Sequence, residues 1–450
     1  MNNNINLTIN EIFSLAVKNH QEGKTDIALK LYNQILKIEP NHSQSLSNLG
    51  VIFQNQMNYE KAKDCYEKAI AIKPDYANAH NNLGNTFKEL GDNQKAKECY
   101  DKAIAIDPNY ADAHYNLGII FKTLNDYQKA KECYEKVITI NPNNANAHNN
   151  LAIIFKELGE KQKAKECYEK AIAIKPDYAD AHNNLGVIYA DLGENQKAKD
   201  CFKKAIEINS DYTDAHNNLG VIYADLGENQ KAKNCFKKAI AINSDYTDAH
   251  NNLGNIYKEL GENHKAKDCF IKAIETDSSI AVSYANLGLV YNELKDYRKA
   301  KIYFEKTIKI DPNHPNAHNH LLKSLYQLDD QSILFKELDS ITKKGKMNAV
   351  IGSIFSRANI RYKLKKKNPF CNDPLDYFLK TNLIEEYDFK NVVVDYVHDI
   401  LKNDSLSTRK QTLITNGYQT AGNLFTNEDF NTKEIQRIIH TEIEKYLLNF

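Results

Sequence analysis

Tryptophan is absent from the 450-residue chain, and so is any net charge, because 59 Lys and Arg balance 59 Asp and Glu. Without an excess of either sign, no global field draws the protein to nucleic acid or to an anionic membrane. No stretch approaches the ~20 apolar residues that a membrane helix needs, so no spanning segment is expected. The N-terminus, MNNNINLTINEIF, lacks both the basic and the apolar stretch of a secretory signal. A cytoplasmic location is therefore expected, with the Asn-x-Ser/Thr triplets at Asn6, Asn41 and Asn403 as chance matches to a glycosylation signal. Cys-x-x-Cys spacing is missing too, which argues against a zinc site. Seven of the eight cysteines (Cys65, Cys99, Cys133, Cys167, Cys201, Cys235 and Cys269) instead recur at one spacing. Stacked helices lie roughly 8–10 Å apart, whereas a disulfide needs Cα atoms within about 7 Å. Equivalent cysteines then do not pair, and read as small buried hydrophobes.

What the chain does have is repetition. The block Ala179–Tyr212 is copied by Thr213–Tyr246 with changes at three places only, Thr213, Asn234 and Ala241. The same frame starts at Ile9, Ser43, Ala77, Ala111, Ala145, Ala179, Thr213, Thr247 and Ala281, and a frayed tenth block starts at Pro315. Each block holds two helical patterns around a turn such as Leu192-Gly193-Glu194-Asn195. The first pattern puts Ala181, Leu185, Gly186 and Tyr189 on one face, and the second does the same with Ala198, Phe202, Ala205 and Ile206. Small residues at Gly186, Ala198 and Ala205 let the helices approach, and the rings of Tyr189 and Phe202 fill the remaining space. Pro108 or Pro176 closes a block, because proline cannot continue a helix. Ser210, Ser244 and Ser278 stand there in later blocks.

This pattern resembles the tetratricopeptide repeat over roughly the first three quarters of the chain. The residues that carry the likeness are the Leu-Gly pairs (Leu83-Gly84 to Leu287-Gly288), the aromatics Phe87, Phe121, Tyr189, Tyr223 and Tyr257, and the alanines Ala96, Ala130, Ala164, Ala198 and Ala232. The resemblance implies an all-α, right-handed solenoid, because two-helix units bury their apolar faces only by stacking. The expected organisation is nine repeats over 9–314, a degenerate tenth repeat or cap over 315–344, and an α-rich C-terminal segment over 345–450. Block Ala145 carries Ala152 where its neighbours have glycine, a mild change. The family's usual Trp or Tyr before the Leu-Gly is here His80, His114, His148, His182, His216, His250 and His318. Residues one repeat apart are too distant to share a zinc ion held about 2.0–2.1 Å from each ring nitrogen, so these histidines read as packing groups and no metal is expected.

Partner recognition points to the residue before each Leu: Asn48, Asn82, Asn116, Asn150, Asn184, Asn218, Asn252 and Asn286. Asparagine is a mediocre helix former, so eight in register need a cause. An amide both donates and accepts, so a row of them can clamp the backbone of an extended peptide whatever its side chains. The ladder looks like that in the repeat domain of the O-linked N-acetylglucosamine transferases, where asparagines hold the substrate peptide. The competing reading is an asparagine inherited by duplication that caps or bridges neighbouring helices. The exposed face of the first helix in block Ala179 is expected to hold Asp180, Asn183, Asn184, Val187, Ala190 and Asp191. A carboxylate clamp of the chaperone-binding kind is not expected, because the positions two before the Leu (Ser47, Asn81, Tyr115, Asn149, Asn183, Asn217 and Asn251) hold no lysine. With Asp180, Asp191, Asp214, Asp225 and Asp248 along it, the central face should be neutral to acidic.

Beyond Leu338 the frame dissolves. Helices are expected over 347–367, 389–403 and about 432–448, with an extended piece through Thr412–Thr415. The lysines Lys363, Lys365, Lys366 and Lys367 read as a solvated face or linker. Two phrases, from Asn368 to Asp376 and from Gly417 to Phe425, are similar to the lead-in segment of 2-oxoglutarate/Fe(II) oxygenases. That family needs a His-x-Asp and a distal His to hold iron, and after Leu338 only His398 and His440 occur, neither in that pattern. The resemblance thus implies a substrate-presenting arm that stops before an iron site. The expected function is a non-catalytic scaffold that binds a protein or extended peptide, with no cofactor, nucleic acid or membrane as partner. The alternative is the recognition arm of such an oxygenase, or of an O-linked N-acetylglucosamine transferase complex.

Overall fold

The structure is a computed structural model that describes residues 8–344, 349–364, 366, 408–410 and 418–420. It divides into two compact units that meet between Leu294 and Lys295, inside the ninth repeat. In the first unit, the first helices of successive repeats are α1 (Ile9–Gln21), α3 (Ser43–Asn55), α5 (Ala77–Glu89), α7 (Ala111–Thr123), α9 (Ala145–Glu157), α11 (Ala179–Asp191), α13 (Thr213–Asp225), α15 (Thr247–Glu259) and α17 (Ala281–Glu293). All nine begin at the predicted residue. Their partners are α2 (Thr25–Ile38), α4 (Tyr59–Ile72), α6 (Asn93–Ile106), α8 (Tyr127–Ile140), α10 (Lys161–Ile174), α12 (Asn195–Ile208), α14 (Asn229–Ile242) and α16 (Asn263–Thr276). The architecture is an all-α repeat solenoid.

Each first helix ends in the same way. In α11, Gly193 adopts φ +75°, its N–H donates to Ala190 O at 2.9 Å, and Glu194 N–H donates to Tyr189 O at 2.8 Å. This double return satisfies carbonyls that the helix end would leave bare. Met57, Asn125 and Lys295 hold the same left-handed place in blocks without the glycine. The second helix then starts on Asp92, Asp126 or Asn58, whose side-chain oxygen accepts the N–H of the third helical residue. In the later blocks that cap is Glu160, Glu194, Glu228 or Glu262, which makes no such bond and pairs instead with the lysine three residues on.

Packing explains the invariant small residues. A Cβ added at Gly186 would sit 2.6 Å from Cε1 of Phe202, and one at Gly84 would sit 2.6 Å from Cε1 of Tyr100. The ring therefore lies directly on the backbone of the first helix. Ala181, Ala198, Phe202 and Ala205 are sealed from solvent as expected, whereas Ile206 is only half-buried. Burying a ring of this size contributes about 2–3 kcal/mol. The seven described cysteines are free, and burial pushes their thiols up to about 11, or to about 12 for Cys133.

The second unit contains α18 (Tyr297–Ile310), α19 (Ala317–Gln327), α20 (Gln331–Lys343) and α21 (Ala349–Arg361). The helix expected over 347–367 is shorter, since α21 stops at Arg361 and Lys363 turns to φ +53°, and the tenth block begins its helix two residues after Pro315. Strands β1 (Thr408–Lys410) and β2 (Tyr418–Thr420) pair antiparallel with Thr408 opposite Thr420. The expected helices at 389–403 and 432–448, the extended piece at Thr412–Thr415 and the phrase from Asn368 to Asp376 lie outside the described residues.

Candidate peptide-binding face

Within the first unit, first helices touch the first helix of the next repeat, α3 with α5, α5 with α7, α11 with α13, α13 with α15 and α15 with α17. Their contact line runs through the asparagines. Of the eight, Asn150 is buried and the other seven are half-buried. Three amides reach into the preceding repeat: Asn116 Nδ2 donates to Asn81 Oδ1 at 3.0 Å, Asn218 Nδ2 to Asn183 Oδ1 at 3.1 Å, and Asn252 Nδ2 to Asn217 Oδ1 at 3.0 Å. Asn48 and Asn150 make the same reach to tyrosine hydroxyls, Tyr32 at 3.1 Å and Tyr115 at 2.9 Å. Asn82 instead donates to Asn78 Oδ1 on its own helix at 3.0 Å. The ladder carbonyls are also held from within, since Asn183 Nδ2 lies 3.4 Å from Asn184 Oδ1 and Asn81 Nδ2 lies 3.4 Å from Asn82 Oδ1.

The residue two before each Leu therefore does not belong to the exposed face. Asn183, expected there, is only 5 % exposed, because the next first helix covers it and donates a hydrogen bond to its Oδ1. Two rungs of this network are open. The buried carbonyl oxygens of Asn149 and Asn251, which by register would receive Asn184 and Asn286, have no partner among the described residues. A buried, unpaired amide oxygen costs about 1–3 kcal/mol, so these two points favour a donor that reaches them.

One turn earlier, Asp180, Asp214 and Asp248 are exposed. Tyr246 donates its hydroxyl to Asp214 Oδ1 at 2.7 Å, and Tyr212 feels the charge of Asp180. Burial, followed by these carboxylates, raises both phenols above their ordinary range. Asp191 pairs with Lys161 at 3.2 Å. α11 and α13 carry no lysine, Ala190 and Ala224 standing where α9 and α15 have Lys156 and Lys258.

The histidine column has a job that sequence reasoning missed. Nε2 of His80, His114, His148 and His182 lies 3.0–3.1 Å from the carbonyl of Pro74, Pro108, Pro142 and Pro176. His216 and His250 reach Ser210 O and Ser244 O at 2.9 Å. A carbonyl only accepts, so each ring carries its proton on Nε2 and ties the closing loop to the next helix. The constant six-residue offset was the available signal. It also explains why serine replaces proline freely: the contact uses the carbonyl, not the ring. Equally unforeseen are lysines that flank the repeat aromatics, such as Lys97 and Lys129 at 6.0 and 5.4 Å from the Phe121 centroid.

Among the described residues no group of His, Cys, Asp and Glu could hold a metal, and no helix is long and apolar enough to cross a membrane. Of the phrase from Gly417 to Phe425, only Tyr418–Thr420 is described, as β2.

Tetratricopeptide-repeat profiles match residues 31–64, 133–166 and 201–234, 111–144 and 179–212, and 245–313. A further TPR-repeat profile matches 58–91, 84–125, 154–193 and 222–261. Together they run without a gap from 31 to 313. The chain is similar to the solved structure of YrrB, a TPR protein with an unusual peptide-binding site, at 26% identity over 41% of this chain and 95% of that one, with a TM-score of 0.36. It is similar to MamA at 29% identity over 36% and 94%, TM-score 0.34. It is similar to pilF of Pseudomonas aeruginosa at 20% identity over 49% and 96%, TM-score 0.43. No curated protein matches it. The chain belongs to the tetratricopeptide-repeat family, whose members are protein-interaction scaffolds.

Proposed function

We propose that this protein is a non-catalytic interaction scaffold and that its asparagine ladder clamps the backbone of an extended peptide. The observation that carries the reading is the inter-repeat amide network. Each of Asn116, Asn218 and Asn252 is oriented by a bond to the preceding repeat while its side chain stays half-exposed. A row of amides fixed in advance loses little conformational freedom on binding, which is how preorganisation strengthens association. The exposed Asp180, Asp214 and Asp248 favour peptides that are neutral to basic, since like charge across an interface costs affinity. The near-identical blocks at Ala179 and Thr213 offer one surface twice in succession, which suits a repetitive or extended ligand.

The same bonds support the second reading, in which the ladder only bridges helices. Two triple variants separate them. Asn184→Ala, Asn218→Ala and Asn252→Ala remove the half-exposed amides; Asn149→Ala, Asn183→Ala and Asn217→Ala remove the buried amides at the matching register of the preceding repeat. The proposal expects a peptide selected from a random library on the full chain to lose binding to the first variant by more than the accompanying drop in melting temperature explains. Both variants should keep their helical circular dichroism. Equal binding by the first variant and the unaltered chain would end the clamp reading.

A further inference from the structure

In the second unit, α19 and α21 face each other across a cavity of about 490 Å³. Lys323, Tyr326 and Gln327 line it from α19, and Val350, Ile354 and Arg357 line it from α21. Its size is in the range of small-molecule sites. Two cations share the space, and among the described residues neither has an acidic partner. The acids of these helices are committed elsewhere: Asp329 accepts from Arg361 at 3.1 Å and from the Tyr362 hydroxyl at 2.8 Å, Asp330 caps α20, and Glu337 lies 3.5 Å from His318. Asp339 lines a different cavity, on the face of α20.

We propose that this cavity is a binding site for an organic carboxylate with an apolar body, with Lys323 and Arg357 on the carboxylate and Val350 and Ile354 against the body. Lys323 is half-buried and Arg357 exposed at the cavity. Such a like-charged pair is unfavourable until an anion joins it, and the planar guanidinium matches a carboxylate in two-bonded geometry. The local electrostatics agree, because burial and then the charge of Arg357 hold the Lys323 amine below its ordinary range. The site lies apart from the asparagine ladder and does not depend on the peptide reading above. The carboxylate could belong to a free organic acid or to the C-terminus of a chain that ends in an apolar residue.

The test uses the full protein with four probes: hexanoate, a pentapeptide Ala-Ala-Ala-Ala-Leu with a free C-terminus, the same peptide as its C-terminal amide, and inorganic phosphate. Calorimetry is expected to show saturable binding of hexanoate, or of the free-acid peptide, and none of the amide. Binding by hexanoate alone would mark a free organic acid as the source, and binding by the free-acid peptide a chain terminus. Arg357→Gln is expected to weaken binding at least tenfold. Lys323→Met should do the same while raising the melting temperature of the ligand-free protein, which a merely structural lysine would not do. Silence of both carboxylate probes, phosphate binding as tightly as hexanoate, or an unaltered affinity in Arg357→Gln would each overturn the proposal.

Discussion

In α5–α8 the ring beneath the repeat glycine is a tyrosine, Tyr100 or Tyr134, whereas in α11–α14 it is Phe202 or Phe236. The helices differ at their starts too: Asp92 and Asp126 cap α6 and α8 with a side-chain bond, and Glu194 and Glu228 leave α12 and α14 without one. The loop residue that receives the histidine is a proline in the first stretch and Ser210 or Ser244 in the second. What changes between the two stretches is whatever backbone or apolar volume can supply by itself. What stays constant is the glycine under the ring, the histidine on the loop carbonyl and the asparagine between repeats. Each of these meets its partner at a fixed place: a ring on the helix backbone, a loop carbonyl, or a side-chain oxygen of the preceding repeat.

Alkali should separate the two stretches most. Burial raises the phenols of Tyr66, Tyr100, Tyr134 and Tyr168 and pushes the repeat thiols up to about 11 or 12. A folded-state value above the unfolded one means that the stabilisation is complete below the unfolded value and is lost as pH rises through the folded one. Stability should therefore fall from about pH 9 upward as unfolded-state thiols ionise, and both stretches should weaken further above pH 10. The first should weaken by more, because it adds Tyr110 and Tyr115 to the four buried rings while the second has Tyr189, Tyr212 and Tyr246. Hydrogen exchange at pH 10–11 is expected to show protection fading in α4–α10 before α12–α16. Simultaneous loss would show that the buried phenols do not set the difference.

Next in size is the glycine under the ring. Gly186→Val is expected to cost about 1–3 kcal/mol by overpacking against Phe202. Gly186→Ala should cost less, because Ala152 already stands at the same register position, fully buried. Denaturant midpoints of the two variants check the ordering.

The tyrosines then split among themselves. Tyr100 donates to Asn85 Oδ1 at 2.8 Å, whereas the buried Tyr134 hydroxyl has no partner among the described residues, Ile119 standing where Asn85 does. Tyr100→Phe should destabilise by about 1 kcal/mol, and Tyr134→Phe should be neutral or stabilising. A loss in both would contradict the assignment. Smallest is the cap: Glu194→Asp should restore the bond that Asp92 makes to Lys95 N at 3.0 Å and stabilise by about 0.5–1 kcal/mol, read as a rise in melting temperature.

The helix starts were legible because the apolar period recurs nine times in register, with the Leu-Gly pair in seven of the nine repeats. Residues whose partners sit one repeat away were not. A single-helix view puts Asn183 on the outer face, and only the neighbouring first helix turns that position inward. The exchange of Ser47, Asn81 and Tyr115 at one register hinted at this, since all three side chains carry a hydrogen-bonding oxygen. Histidine to loop carbonyl and lysine over aromatic are contacts whose partner has no side-chain signature of its own, or is read first as core. The ladder was visible as a pattern, but its half-buried, cross-linked state required the stacked helices.

The most direct test of backbone clamping compares one library-selected peptide with its backbone N-methylated form and with a version whose side chains are scrambled. The account predicts that N-methylation abolishes binding to the full chain while scrambling changes it little. Tight binding by the N-methylated peptide, with loss on scrambling, would contradict it.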